Sequence, residues 1–321
     1  MVNWNGWMYT LECVQSLFEA KLRPFSIVVC DNNSTDNSQH HILNWARNHF
    51  LTSQIQHLGS EIEEKSLSFI PSFVFIQNPS NLGFSGGNNP GIRWALHQGC
   101  FDFIWILNND SKVHSHALRY LYLSAKNEPK AGIFGSTIIS SDTNDRLECA
   151  GGCWYEPITT VARFALKNQI LSDLLKKSPK LNLDYISGVS MFIRDEVFRK
   201  VGLFNEDYFL FYEELDLCTR AKKAGFELMW SPQSIIYHKG GASIGRPGFA
   251  NRKKIRLSNY HENLSTLLFT KNCYPQLLPL AMFCRFFGKL AAVTWRGEWY
   301  LIKPLVQAYM DFGTHLINSM R

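Results

Sequence analysis

Phe101-Asp102-Phe103-Ile104-Trp105-Ile106-Leu107-Asn108-Asn109-Asp110 is the stretch on which the reading of this chain turns. Phe103 to Leu107 is apolar on both faces and rich in aromatic and β-branched residues, the pattern of a buried strand in a parallel sheet. It ends abruptly in Asn108, Asn109 and Asp110. Open α/β sheets bind ligands just beyond the carboxyl ends of their strands. A carboxylate there can hold a divalent cation, which in turn binds a diphosphate. The plainer alternative is a turn-forming Asn-Asn-Asp.

Upstream, the chain alternates between strands and helices. Met1 to Gly6 reads as the tail of a strand entering a turn, and its shortness points to a true start further upstream. A helix comes next with Leu11, Val14, Leu17 and Phe18 on one face. Ser26 to Cys30 is a second strand. A helix then turns Ile42, Trp45, Ala46 and Phe50 inward, residues 51–72 read as a surface insertion, and Phe73 to Gln77 is a third strand. Asn78 to Asn89 is a glycine-rich loop, with a helix starting near Pro90. This order predicts an α/β fold with a doubly wound, mostly parallel sheet.

Downstream the rhythm changes. His114 to Lys126 is predicted helical, Ile133 to Ser140 a strand and residues 141–183 irregular. Tyr185 to Arg194 reads as a strand, Asp195 to Val201 as a short helix and Glu213 to Ala224 as another. Two short strands, Phe226 to Trp230 and Ile235 to Tyr237, precede a glycine-rich loop over His238 to Gly245. From about Tyr260 the chain is helical and apolar. We divide it into a domain over 1–257 and a helical appendage over 258–321. Leu277 to Cys284 is too short to span a bilayer, and Arg285 and Lys289 interrupt the residues after it. An amphipathic helix on a membrane surface, with Phe286, Phe287, Trp295 and Trp299 as aromatics, competes with a helix pair packed on the main domain.

Composition narrows the class. The 321 residues are 45% hydrophobic and 19% charged, an ordinary globular balance. A net charge of +6 favours anionic partners such as nucleotides or acidic lipid but is too weak to argue for nucleic acid. The eight cysteines are scattered through apolar segments, as reduced core cysteines are. No secretory signal opens the chain, so the main domain is expected in the cytoplasm.

Several polar clusters could carry chemistry. Asp31, at a strand end, could accept the imide N–H of a pyrimidine base or simply belong to a helix cap. The stretch Asn81-Leu82-Gly83-Phe84-Ser85-Gly86-Gly87-Asn88-Asn89 lets backbone approach a ligand, though it fits neither the dinucleotide nor the P-loop spacing. Glu213 and Glu214 open a helix, where a partly desolvated carboxylate can serve as a general base. His238, ahead of two glycines, can reach a metal or a phosphate.

Taken together, Val-Asn-Trp-Asn-Gly (2–6), Val-Cys-Asp-Asn-Asn-Ser-Thr-Asp (29–36), the 81–89 stretch, Leu-Asn-Asn-Asp (107–110), Gly-Val-Ser-Met-Phe-Ile-Arg (188–194), the acidic aromatic run 204–218 and His-Lys-Gly-Gly-Ala-Ser (238–243) resemble an inverting family 2 glycosyltransferase of GT-A fold, in the rhamnosyltransferase-like branch. The resemblance implies a nucleotide-diphosphate sugar as donor (a UDP- or dTDP-sugar, such as dTDP-rhamnose) and a saccharide or lipid-linked saccharide as acceptor, in cell-surface polysaccharide synthesis. It implies donor contacts at Asn3, Asp31, Asn33, Asn81, Gly87, Asn88, Asn108 and Asn109, and acceptor contacts at Gly188 and Tyr212. Mg²⁺ or Mn²⁺ would sit on Asp110, with His238 as a second ligand, because Asn108 replaces the first acid of the family's metal motif. Glu214 stands at the position of the catalytic base, with Glu213 as the fallback. Two other readings share some features. A sugar-phosphate nucleotidyltransferase would need a basic glycine-rich loop near the start, and Asn3 to Met8 has no Lys or Arg. A non-catalytic saccharide-binding protein would tolerate Asn108.

Overall fold

The computed structural model describes residues 1–22, 25–59, 69–141, 146–172, 174, 179–240 and 252–319. Its first half is β1 (Val2–Asn3), α1 (Trp7–Phe18), β2 (Ile27–Asp31), α2 (Ser38–His49), β3 (Ile55–Gly59), β4 (Phe73–Gln77) and α3 (Gly83–Gln98). The strands form a parallel sheet in the order β1-β2-β4-β3. Alternate residues of β2 and β4 serve opposite layers, as strand pleating requires. Val29, Phe73 and Phe75 pack towards Cys13, Val14, Ile42 and Ala46 of α1 and α2. Cys30, Val74 and Ile76 pack towards Trp94 and Ala95 of α3.

β5 (Phe103–Leu107) begins a second, mixed sheet with β6 (Ser111–Val113), α4 (Ala117–Asn127), β7 (Ala131–Ser140), β8 (Leu147–Ala150), β9 (Gly152–Glu156), β10 (Val161–Phe164), β11 (Tyr185–Ile186), β12 (Ser190–Arg194), α5 (Asp195–Val201), α6 (Glu213–Lys223) and β13 (Glu227–His238) in chain order. Its order is β5-β12-β7-β13-β6, with β8 on the free half of β7 and a small sheet β10-β9-β11 beside it. β12 runs antiparallel to β5 and β7, whereas β7 and β13 are parallel. A cavity of about 150 Å³ separates β2 from β5, lined by Val28, Trp94, Phe103, Ile104 and Ile106 among others. The Met1 ammonium, buried beside it, donates to Val28 O at 3.0 Å.

Five regions differ from the sequence-based expectation. Residues 51–72 contain β3, an edge strand whose polar Gln56 and His57 disguise it; Gln56 accepts from Trp94 Nε1 at 3.0 Å. The helix expected near Pro90 begins at Gly83, because its glycines are packing contacts within helical turns rather than loop. The region read as irregular supplies β8, β9 and β10. β13 is one strand with an irregularity between Ser231 and Ile235, where Pro232 has no N–H for the ladder. Tyr185 to Arg194, by contrast, is two strands around a turn at Gly188. The loop expected over His238 to Gly245 is described as far as Gly240; its remainder lies outside the described residues.

The C-terminal part is α7 (Arg252–Cys273), α8 (Leu278–Trp295) and α9 (Ile302–Ser319). α7 runs across residue 257. Leu267, Leu268 and Phe269 of α7 and Phe312 of α9 form one core with Tyr155, Tyr208 and Leu215. α8 is more exposed, and Pro275–Trp295 is long and apolar enough by length and composition to cross a membrane, with a mean hydropathy of 1.5. That differs from the expectation of too short an apolar run, because the single buried cation Arg285 does not outweigh its apolar neighbours. Arg285 is 5% exposed and donates to Asn263 Oδ1 at 2.9 Å and Thr160 Oγ1 at 3.1 Å, so one face of α8 is fastened to the main domain.

Gly83 has φ +70°, and a Cβ on it would stand 1.9 Å from Phe209 O. Left-handed strain and overpacking each cost about 1–3 kcal/mol. Gly83→Ala should therefore lower the stability by about 3 kcal/mol in urea denaturation. A loss below about 0.5 kcal/mol would show that this approach is not a constraint.

Candidate active site

Parallel pairing places Asn3 opposite Asp31 and Asp31 opposite Gln77, so three strand ends share a row. Asn3, fully buried, donates to Asp31 Oδ1 at 2.6 Å and to Ser34 Oγ at 3.1 Å. Thr10 of α1 donates to Asn3 Oδ1 at 2.7 Å and accepts from Asn109 Nδ2 at 2.9 Å. Asp31 also accepts from Ser34 Oγ at 2.6 Å, Ser34 N at 2.9 Å and Gln77 Nε2 at 3.0 Å. A carboxylate offers about four lone-pair positions, so those of Asp31 are filled from within the protein. A base N–H can reach Asp31 after one of these donors, such as the Ser34 hydroxyl, turns away.

The other predicted donor residues have varied surroundings. Asn81 Oδ1 accepts from Gly83 N at 3.0 Å and so shapes the start of α3. Asn33, at φ 56°, donates to Pro79 O at 3.2 Å from an exposed position. Gly87 makes room for Asn32, whose Nδ2 would lie 2.7 Å from an added Cβ. Asn32 donates to Gly83 O at 2.7 Å and accepts from Asn78 Nδ2 at 2.8 Å. Asn88 is buried, donates back to Phe84 O at 3.0 Å and borders the apolar cavity between the layers. Thr10, Asn32 and Asn89 escaped the sequence reading. Asn89 donates to Phe204 O at 2.9 Å and Glu206 Oε1 at 2.7 Å, fastening α3 to the loop ahead of the paired glutamates.

Asp110 and His238 meet because β6 pairs with the end of β13, with Ser111 opposite His238. His238 Nε2 lies 3.2 Å from Asp110 Oδ1, and its Nδ1 lies 3.0 Å from Glu148 Oε2 on β8. Burial pulls the imidazole pKa down, but its hydrogen bonds to both carboxylates outweigh that and lift it to about 9. Among the described residues no three His, Cys, Asp or Glu side chains converge on one metal position. The protein thus offers Asp110 Oδ1 and, once deprotonated, His238 Nε2. Of these two atoms the carboxylate oxygen suits a hard divalent cation, while the imidazole nitrogen suits softer first-row metals. Glu148 fixes the imidazole through its other nitrogen, the usual arrangement behind a metal-ligating histidine. Nothing in the spacing of Glu148 announced this.

The paired glutamates sit at the first positions of α6, after two residues with positive φ, Phe211 at 67° and Tyr212 at 72°. Glu213 is 5% exposed, and burial, then the neighbouring Glu214, pushes its carboxyl well above the ordinary range. Burial raises the Glu214 carboxyl to about 7. Each has an Oε2 that is buried without a hydrogen-bond partner in the protein. Glu214 lines a cavity of about 670 Å³, together with Tyr155, Tyr185, Tyr212 and residues of α7 and α8. Gly188 borders the same carboxylate: a Cβ there would lie 3.6 Å from Glu214 Oε1.

A backbone hydrogen bond ties the loop after β5 to the turn ahead of β12. Asn108 N donates to Val189 O at 3.0 Å, beside the Gly188 turn that touches Glu214. Asp110, two positions beyond Asn108, is therefore on the same end of the sheet as Glu214.

Comparisons with known proteins place the chain in a family and a fold. The chain resembles the low-salt glycan biosynthesis hexosyltransferase Agl10 of Haloferax volcanii, at 30% identity over 155 residues, 48% of each chain. It is 25% identical over 253 residues, 72% of each chain, to the N-acetylglucosaminyl-diphospho-decaprenol L-rhamnosyltransferase of Mycobacterium tuberculosis. The chain thus spans about half the length of the first relative and about seven tenths of the second. Among solved structures, a mannosyltransferase from Pyrobaculum calidifontis in complex with GDP-Man and Mn²⁺ superposes with a TM-score of 0.52 at 11% identity, covering 97% of this chain and 85% of that one. GalNAc-T7 with UDP, GalNAc and Mn²⁺ gives 0.55 at 14% identity, covering 87% and 50%. These structural likenesses show the GT-A fold. The family description Glycosyl transferase family 2 matches residues 1–202, more than half of the chain. The chain belongs to glycosyl transferase family 2.

Proposed function

We propose that the protein transfers a sugar from a nucleotide-diphosphate donor to a hydroxyl of a saccharide acceptor in a single displacement that inverts the anomeric centre. The observation that carries this reading is Glu214, a carboxyl raised to about 7 on the wall of a large cavity at the same end of the sheet as Asp110. The nucleoside end of the donor lies over the strand ends at Asn3, Asp31 and Asn81, with Asn33 at the rim. Asn108 and Asn109 face the diphosphate, and Asp110 with His238 Nε2 holds Mg²⁺ or Mn²⁺ there. The cation, when bound, neutralises the departing diphosphate. Glu214 takes the acceptor proton as the hydroxyl attacks the anomeric carbon, and the transition state is oxocarbenium-like, as in glycoside hydrolysis. Gly188 leaves this carboxylate open to the acceptor, and Tyr212 walls the acceptor side.

One relative is named for glycan biosynthesis, and another carries N-acetylglucosaminyl-diphospho-decaprenol in its name. That supports a lipid-linked saccharide acceptor; we place the action at the cytoplasmic face of a membrane, with dTDP-rhamnose or a UDP-sugar as donor.

Glu214→Gln should cut kcat about 100- to 10,000-fold while the donor KM stays within a few-fold. Equal turnover in the variant would remove Glu214 from the chemistry. Because a protonated carboxyl cannot accept a proton, kcat/KM should climb with pH on an acidic limb centred near 7; a flat profile from pH 5 to 9 contradicts the assignment. Finally, Asp110→Asn should abolish the thermal stabilisation that Mn²⁺ adds to a nucleotide sugar, and an undiminished shift would place the cation elsewhere.

A further inference from the structure

The cavity at Glu214 is longer than a single acceptor sugar requires. Its α8 wall carries Arg285, Lys289 and Ala292, and then Arg296 just past the helix end. These positions recur at spacings of three and four, so they share one face of the helix. From Arg285 to Arg296 that face rises about 17 Å. Thr160 marks where Glu214 lies along it. Arg285 donates to Thr160 Oγ1 at 3.1 Å, and Tyr212 Oη donates to Thr160 O at 3.5 Å. The carboxylate is therefore at the Arg285 end, and Arg296 and Glu298 line the far end. Two polar atoms at the near end have no hydrogen-bond partner among the described residues. One is Glu214 Oε2. The other is Tyr155 Oη, on a residue 9% exposed that lines the cavity and whose ring meets that of Tyr212 at 5.9 Å. Further along, acceptors alternate with donors. Glu262 of α7 lies 2.8 Å from Lys289 Nζ and 3.2 Å from Arg285 Nη2, and Glu298 lines the cavity beside Arg296.

We propose that this groove takes an oligosaccharide acceptor, with the sugar to be extended over Glu214 and the preceding sugars running along α8 past Lys289 to Arg296. The proposal rests on the transferase reading and adds to it the length of the acceptor and the residues that measure it. A sugar hydroxyl both donates and accepts, so Tyr155 Oη and Glu214 Oε2 can each bond to the terminal ring. Buried polar atoms without partners are unfavourable, and a sugar that meets both removes that cost. Along α8 the Glu262 carboxylate accepts from hydroxyls, and Lys289 and Arg296 donate to them, in charge-assisted bonds. Tyr155 and Tyr212 supply apolar ring surface beside these groups, the mixture of aromatic lining and few polar groups that orients a ligand. At about 670 Å³ the cavity takes a ligand larger than one sugar ring.

Calorimetric titration of the whole chain tests this with two series of free saccharides: N-acetylglucosamine, chitobiose and chitotriose, and glucose, maltose and maltotriose. In at least one series the affinity should rise at least about ten-fold from the single sugar to the trisaccharide. Tyr155→Phe should weaken every member of that series by a similar factor, about three- to ten-fold, because it acts on the terminal ring they share. Arg296→Ala should remove the gain from the third sugar and leave the single sugar unaffected. Lys289→Ala should remove the gain from the second sugar as well. Arg296 is exposed beyond the helix end, so its variant reads the far end without disturbing the pairing of Lys289 with Glu262. Phe287→Ser, on the opposite face of α8 and 52% exposed, should change nothing. Affinity independent of length, no binding in either series, or a length gain that survives both Arg296→Ala and Lys289→Ala would overturn the proposal. Nucleotide-sugar turnover by the unaltered protein reports separately on the transferase reading: length-graded saccharide binding without any turnover would keep the groove and remove the transferase.

Discussion

A continuous run of hydrogen bonds, Asn109 to Thr10 to Asn3 to Asp31, holds the ligand end of this molecule together. Among the described residues the ladder that joins β1 to β2 does not continue to β5, and an apolar cavity lies between the layers. Side chains therefore do what main-chain pairing does elsewhere: they fix the loop after β5 relative to the ends of the parallel strands. Buried polar groups tolerate such a role because each finds its partner, and an orphaned member costs about 1–3 kcal/mol. The network thus sets the distance between the strand ends at Asn3 and Asp31 and the loop at Asn109, and both inherit its rigidity.

The carboxylates on the other side obey a different balance. A helix N-terminus favours negative charge by about 0.3–1 kcal/mol, rising to about 2 kcal/mol in partly buried settings. Burial works against it and wins, since a rise from 4.5 to about 7 at Glu214 corresponds to about 3 kcal/mol. The turn that brings the pair inward is itself unfavourable, with Phe211 and Tyr212 both in the left-handed region. It is held by Ser265 Oγ, which donates to Leu210 O at 2.9 Å, and by the Tyr212 ring between Tyr155 and Phe269. Strain and desolvation fall on adjacent residues, and their common product is a carboxyl poised to exchange a proton near neutrality.

The sequence announced those parts of the structure that depend on local pattern. The buried runs 27–31, 73–77 and 103–107 are strands, and the amphipathic stretches around Val14 and Ile42 are helices, because apolar periodicity is written locally. Asp110 and Glu214 were legible as carboxylates at a strand end and a helix start. Glu148 was not, since its only role visible in the fold is a contact with His238, made through the long-range pairing of β8 with β7 and of β7 with β13. Thr10 and Asn32 were hidden for the same reason: a threonine within an amphipathic helix and an asparagine in a turn have nothing local to mark them. Gly87 can be read only with its spatial neighbour in view. Its lack of a side chain suggested a ligand, but the neighbour that needs the space is Asn32.

The division between the two halves has a consequence for how such a site can vary. Residues 1–202, the extent of the family match, contain the whole row of strand ends and Asp110. Glu214 and the α7 and α8 walls of its cavity lie beyond it. The row of strand ends is built from backbone register and filled hydrogen bonds, so a change at Asn3 or Asp31 disturbs several strands at once. The cavity at Glu214 is walled in part by side chains of α7 and α8, which touch the rest of the chain through the core around Phe269 and through the buried Arg285. Substitutions on the cavity face of α8 can reshape that hollow without moving a strand, provided Arg285 keeps its partners. A fixed row of strand ends and an adjustable cavity therefore result from which of the two the sheet is obliged to build.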